Sequence, residues 1–398
     1  MSNFATCSSP SPKRLEPENS NTLTSKTQTL PKFDGGKNGK IYGKGMKAAR
    51  QSNIELLRIV AMFFIIAYHC VCNSTLWLEL DFAHPSAKSI LVQLWGMWGK
   101  TGINVFVLIS GYFMCVSHLT VKRYIKLLAE LLFYGIVTYL VLCYLGIERV
   151  SCLAILKKLT FFHVLSRPNG GFMAGFLWMY LLIPFLNLIV MQFSVEQLRK
   201  FILVLLIMFT GTGSIFNAHV FHHVFWYVTL YFIAASIRLH PMDWMEKNRY
   251  CVPLLLCSVM GAMGSVVAIN LLAPRFTPLL AHPYIFVADS HKIFAFFVGV
   301  SAFLVFRNLK IGYHKWINTI AATVFGVFLL HTAGDGMRFL LWDRLFGLAR
   351  HYTLPTGSLI LYLAFVALTV FFVASCIDML RRYVSRKLFP WFFSKTSA

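Results

Sequence analysis

Along this chain, polar residues interrupt long apolar runs instead of alternating with single apolar residues. After residue 50 the runs recur at close to the length a helix needs to cross a hydrocarbon core, about 20 residues at a rise of about 1.5 Å each. Ten can be drawn, roughly over 53–74, 89–116, 124–146, 172–192, 200–217, 221–238, 251–272, 285–306, 315–334 and 356–377. None shows the two-residue alternation of a barrel strand, and in lipid a helix is the other way for backbone to satisfy its own polar groups. The pattern predicts an all-α, polytopic integral membrane helical bundle of about ten transmembrane helices.

Composition agrees. The 57% hydrophobic and 13% charged residues, with a mean hydropathy of +0.65, lie outside soluble norms. The net charge of +22 raises nucleic acid as a partner, and the placement of the bases answers it. With a cytoplasmic N-terminus, the inside segments hold 25 of the 37 Lys and Arg residues and the outside segments 10, with Arg58 and Lys100 inside spans. That bias follows the positive-inside rule for ten spans with both termini cytoplasmic, and predicts a multi-pass protein of the inner (plasma) membrane, with lipid and not nucleic acid as its surroundings. The segment 147–171, with four bases on the outer side, runs against the rule.

Residues 1–50, rich in Ser, Thr, Pro, Lys and Gly, read as a disordered basic cytoplasmic tail. They contain no apolar core of a cleavable signal peptide, and Met46 is an alternative start. Residues 51–378 form the membrane domain, and 379–398 a short basic cytoplasmic tail. The nine cysteines are scattered without a CxxC pair and read as packing residues, and no metal site is predicted.

The first span, "NIELLRIVAMFFIIAYHC", carries Glu55, Arg58 and His69. At about 100° per residue the eleven-residue step from Arg58 to His69 returns to the same face about 16 Å along the axis, and Glu55 joins it one turn earlier. Ionisable groups cost on the order of 2.5–3.5 kcal/mol each in a span, so this stripe predicts a protein interior or wet cavity. The bland alternative is an Arg anchor at the headgroups and a packed His. The second span, "GKTGINVFVLISGYFM", is broken by small and polar residues including Ser110 and Gly111, which otherwise serve close helix packing. After it, "HLTVKRYIKLL" places Lys122, Arg123 and Lys126 at a cytoplasmic span mouth, as inside anchors or as a phosphate-binding pair.

Arg-x10-His, then "NVFVLISGYFM", then Arg123-x-x-Lys126 resembles acyltransferase family three, polytopic membrane O-acyltransferases that modify cell-surface glycans. "FLWMYLLIPFL" (176–186) and "TVFGVFLLH" (323–331) resemble two further spans of that family, and the likeness runs over residues 52–377. The family's usual Arg-x-x-Arg is Arg123-x-x-Lys126 here, which keeps the charge and loses one bidentate fork. The His that often precedes its "LWFL" is Phe176, which removes a polar contact. The resemblance implies transfer of an acyl group, usually acetyl from cytoplasmic acetyl-CoA as co-substrate, to a hydroxyl of a glycan or lipid-linked sugar.

On that basis His69 is the expected general base, or a covalent acyl carrier, with Arg58 orienting the donor or stabilising charge and Glu55 holding Arg58. Arg123, Lys126 and Lys122, with Ser110 and the Gly111 amide, are the expected donor-binding residues. The competing class is a transporter or flippase of a lipid-linked sugar or polysaccharide, in which the same stripe is a proton or substrate path. His219, His222 and His223 read as solvated loop histidines rather than metal ligands. His282, Asp289 and His291 are candidates to face the acceptor.

Overall fold

The computed structural model describes residues 50–117, 119–165, 171–218, 223–276 and 283–388. The predicted tail up to residue 49 with Met46, the last ten residues, and His219, His222 and His282 lie outside the described residues.

Helix α1 (Ser52–Cys72) follows the first apolar run, followed by α2 (Ala87–Gly96), α3 (Gly99–Met114), α4 (Val121–Tyr144) and the short α5 (Cys152–Leu159). Helix α6 spans Gly171–Gln192, α7 Val195–Ile215, α8 His223–Leu239 and α9 Asn248–Leu272. Then come α10 (Ile293–Arg307), α11 (Lys315–His331), α12 (Asp335–Leu345) and α13 (Thr356–Leu388). The described residues contain no strand.

Six of these helices, α1, α4, α6, α7, α9 and α13, are long and apolar enough to cross a membrane, or seven with the bent pair α11–α12. The remaining expected runs are shorter or broken. The 89–116 run is split into α2 and α3 at Met97–Trp98. The 285–306 run is a set of turns that becomes helical only at Ile293. The 315–334 run stops at His331, and the chain then turns by 103° into α12. The turn passes through Gly334 at φ +136°, a conformation open to glycine and strained for other residues.

Short helix α3 lies at the centre, packed on α1, α8 and α10. Its glycines permit the approach: a Cβ at Gly102 would stand 2.8 Å from the carbonyl oxygen of Ala61 in α1. Asn104 is buried in α3 with its amide satisfied on both sides. It donates to the carbonyls of Ser290 (2.7 Å) and Ala295 (3.0 Å) and accepts from Trp226 Nε1 (3.0 Å), tying α3 to α8 and to the start of α10. Helix α13 closes the other side of α1 and α11. Buried Asp378 of α13 accepts from Tyr134 of α4 (2.8 Å) and from Arg381 (2.8 Å), which also reaches Glu130 (2.6 Å). Phe185, Leu188, Met191, Leu256, Met260, Leu361, Phe365 and Phe372 are exposed on the long helices, the kind of surface that helices present to lipid.

Candidate functional site

Two cavities lie along one face of α1, one near each end of its polar stripe. Near the N-terminal end, Arg58 lines a cavity of about 330 Å³ together with Arg50, Ser110, Arg123, Lys126 and Glu130, over a wall that includes Phe106, Phe176 and Tyr180. Near the C-terminal end, His69 lines a cavity of about 250 Å³ with Tyr68, Asn73, Lys100, Thr332 and Arg338. Phe172 and Phe328 belong to both linings. Their rings meet edge to face at 5.0 Å between centroids, so an aromatic pair is the partition between the two spaces.

The arginine cavity gathers charges from α1, from Arg50 just before it and from α4. Glu55, 7% exposed, stands 3.4 Å from Arg58 and 3.9 Å from Arg50, one turn away on α1 and at its mouth. This fixes Arg58 against α1 and leaves its remaining donors available to the cavity. Arg123 and Lys126, one turn apart at the start of α4, enter the same lining, as expected from their spacing. Ser110 lines this cavity and not that of His69, and its hydroxyl donates to the carbonyl of Phe106 at 2.8 Å. Gly111 lines neither cavity. It is packed under α8, where a Cβ would lie 2.9 Å from that of Ala234. Lys122 lies outside both linings. Phe176, where the family pattern has a polar residue, forms part of the aromatic wall, 6.1 Å from Tyr180.

In the histidine cavity the decisive contact joins residues 262 positions apart. His69 Nδ1 lies 3.0 Å from His331 Nε2, and His331 Nδ1 lies 2.6 Å from the carbonyl oxygen of Val327. A carbonyl can only accept, so neutral His331 carries its proton on Nδ1 and offers the lone pair of Nε2. His69 must then donate from Nδ1, which leaves the lone pair of its Nε2 uncommitted. A backbone carbonyl thus sets, through two rings, the tautomer of the histidine that lines the cavity. His331 is buried at the end of α11, against the indole of Trp342 and the edge of Phe328.

A family model described as an acyltransferase domain matches residues 51–378. The chain belongs to acyltransferase family three. No curated protein and no solved structure matches it.

The two cavities differ in their chemistry. The arginine cavity offers cations and an aromatic wall, suited to phosphates and a planar group. The histidine cavity offers an oriented base with polar neighbours. Sequence reasoning did not assign a role to His331, Phe172, Phe328 or the cavity cations Lys100 and Arg338. The ending of "FGVFLLH" at a histidine was the available signal for His331. Asp289 pairs with Lys100 at 3.3 Å behind the histidine cavity. His291 is buried beside the carbonyl of Ala218 (3.3 Å) and lines neither cavity. His223 stacks on Tyr227. Among the described residues, no three His, Cys, Asp or Glu side chains are grouped to hold a metal ion.

Proposed function

We propose that this acyltransferase is an integral membrane O-acyltransferase that moves an acyl group, acetyl first among the candidates, from cytoplasmic acyl-CoA to a hydroxyl of a glycan or lipid-linked sugar. The observation that carries the reading is the meeting of a cationic cavity and a histidine cavity across the Phe172–Phe328 pair. The phosphates of the donor bind to Arg58, Arg123 and Lys126, and its long thin arm passes the aromatic pair to bring the thioester to His69. His69 Nε2 takes the proton of the acceptor hydroxyl, whose oxygen attacks the thioester carbonyl. The C–S bond breaks as the ester forms, and the imidazolium returns its proton to the departing thiolate. His331 is a positioning residue that supports the charge on His69 with its own lone pair.

The orientation we propose follows the Lys and Arg bias: both termini cytoplasmic, the arginine cavity inside and the histidine cavity toward the outside, in the inner (plasma) membrane. The bundle would complete about ten crossings by using α2–α3, α8 and α10 with their flanking turns as short or broken spans.

The donor site is tested by replacing Arg123 and Lys126 with Gln together and titrating acyl-CoA into the purified protein. Charge-assisted contacts contribute roughly 1.5–3 kcal/mol each, so affinity is expected to fall at least about tenfold with membrane insertion intact. Unchanged affinity would make the pair a membrane anchor.

A further inference from the structure

The histidine cavity has a charge pattern that proton abstraction does not require. Two cations line it, Lys100 from α3 and Arg338 from α12, and among the described residues no carboxylate does. Arg338 is brought there by the 103° turn after His331, so one broken element supplies both the partner of His69 and a guanidinium to the same space. Its Nε is buried and has no hydrogen-bond partner. Its one carboxylate contact, Asp335 at 3.2 Å, is 96% exposed at its side chain and therefore weak. Lys100 is held from behind by Asp289 at 3.3 Å, with its ammonium 6.0 Å from the ring centre of Tyr68. The Arg338 side chain is itself 39% exposed, so the weak pair with Asp335 leaves guanidinium donors that a ligand in the cavity can reach.

The geometry points to an acidic acceptor: we infer that the histidine cavity selects a sugar bearing a carboxylate or phosphate, which Arg338 and Lys100 bind while His69 takes the proton of a neighbouring hydroxyl. This rests on the acyl-transfer reading and narrows its substrate. The cavity volume of about 250 Å³ leaves room for a sugar ring. Tyr68 offers an aromatic face to that ring, and Asn73 and Thr332 offer polar groups for its hydroxyls.

The test uses the purified full-length protein and three probes that differ only at carbon 6: methyl glucuronide, methyl glucoside 6-phosphate and methyl glucoside. Binding of each is measured by titration calorimetry in the wild type, Arg338→Gln and Arg338→Lys. The wild type is expected to bind at least one acidic probe about tenfold or more tighter than the neutral one, since charge-assisted pairs are the strong ones. Which acid binds tighter distinguishes a carboxylate sugar from a phosphorylated one. Arg338→Gln, which leaves Lys100 alone to hold the acid, should lower the acid-to-neutral ratio several-fold, and Arg338→Lys should lower it less. Equal or undetectable binding of all three probes by the wild type overturns the inference. So does an Arg338→Gln protein with an unchanged ratio, because a role confined to charge on the reacting thioester would affect all acceptors alike. Release of CoA is measured separately. A protein that prefers acids yet never consumes acyl-CoA would contradict the acyl-transfer reading and leave the acidic site standing.

Discussion

His331 accepts a hydrogen bond from His69 and donates none to the cavity: its Nδ1–H is committed to Val327 and its Nε2 to His69. In the proposed reaction its value lies in holding one tautomer of another ring. Replacing His331 with Ala should therefore lower the turnover number about tenfold or more, short of the roughly 10²–10⁴-fold contributed by a general base itself. His331→Gln, which keeps an acceptor near His69 Nδ1, should retain more activity than Ala, with donor affinity equal in both. A structural role alone would lower thermal stability in step with activity and leave the two variants alike. Much of this level was legible beforehand. The spacing of Glu55, Arg58 and His69 on one helix, and of Arg123 and Lys126 on another, follows from helical geometry. The His69–His331 pair was not, because the two residues are 262 positions apart and only the packing of α11 beside α1 joins them.

At the scale of elements, hydropathy located the long helices, since their apolar length is itself the physical cause of spanning. It did not locate the breaks. The run 89–116, apolar but for a few residues such as Gln93, Lys100 and Asn104, divides into α2 and α3, and α3 at sixteen residues is packed among other helices. The turn at Gly334 is the more consequential break, because it folds α12 back so that Arg338 lines the cavity of His69, whose ring His331 contacts. Gly334→Ala meets no neighbouring atom within 4 Å, so any effect comes from backbone strain. Strain of that kind costs on the order of 1–3 kcal/mol. The variant should melt at lower temperature in detergent and lose acyl transfer. Gly264→Ala, also with open space around it but within helix α9 and without a positive φ, should be neutral or slightly stabilising.

For the whole molecule, the account requires a donor side and an acceptor side joined through the bundle. Protease added outside intact cells should spare tags at both ends of the chain, and cleavage of one end alone would change the number of crossings by an odd number. The central claim is that His69 removes the acceptor proton at the far end of a path that begins at Arg58, Arg123 and Lys126. The most direct measurement is acyl transfer by purified His69→Gln protein, with acyl-CoA binding measured on the same sample. Gln keeps polarity and approximate volume but cannot take the proton. The account predicts donor binding within about twofold of the wild type and a loss of transfer of about 10²-fold or more. A His69→Gln protein that binds donor and transfers the acyl group at the wild-type rate would contradict it.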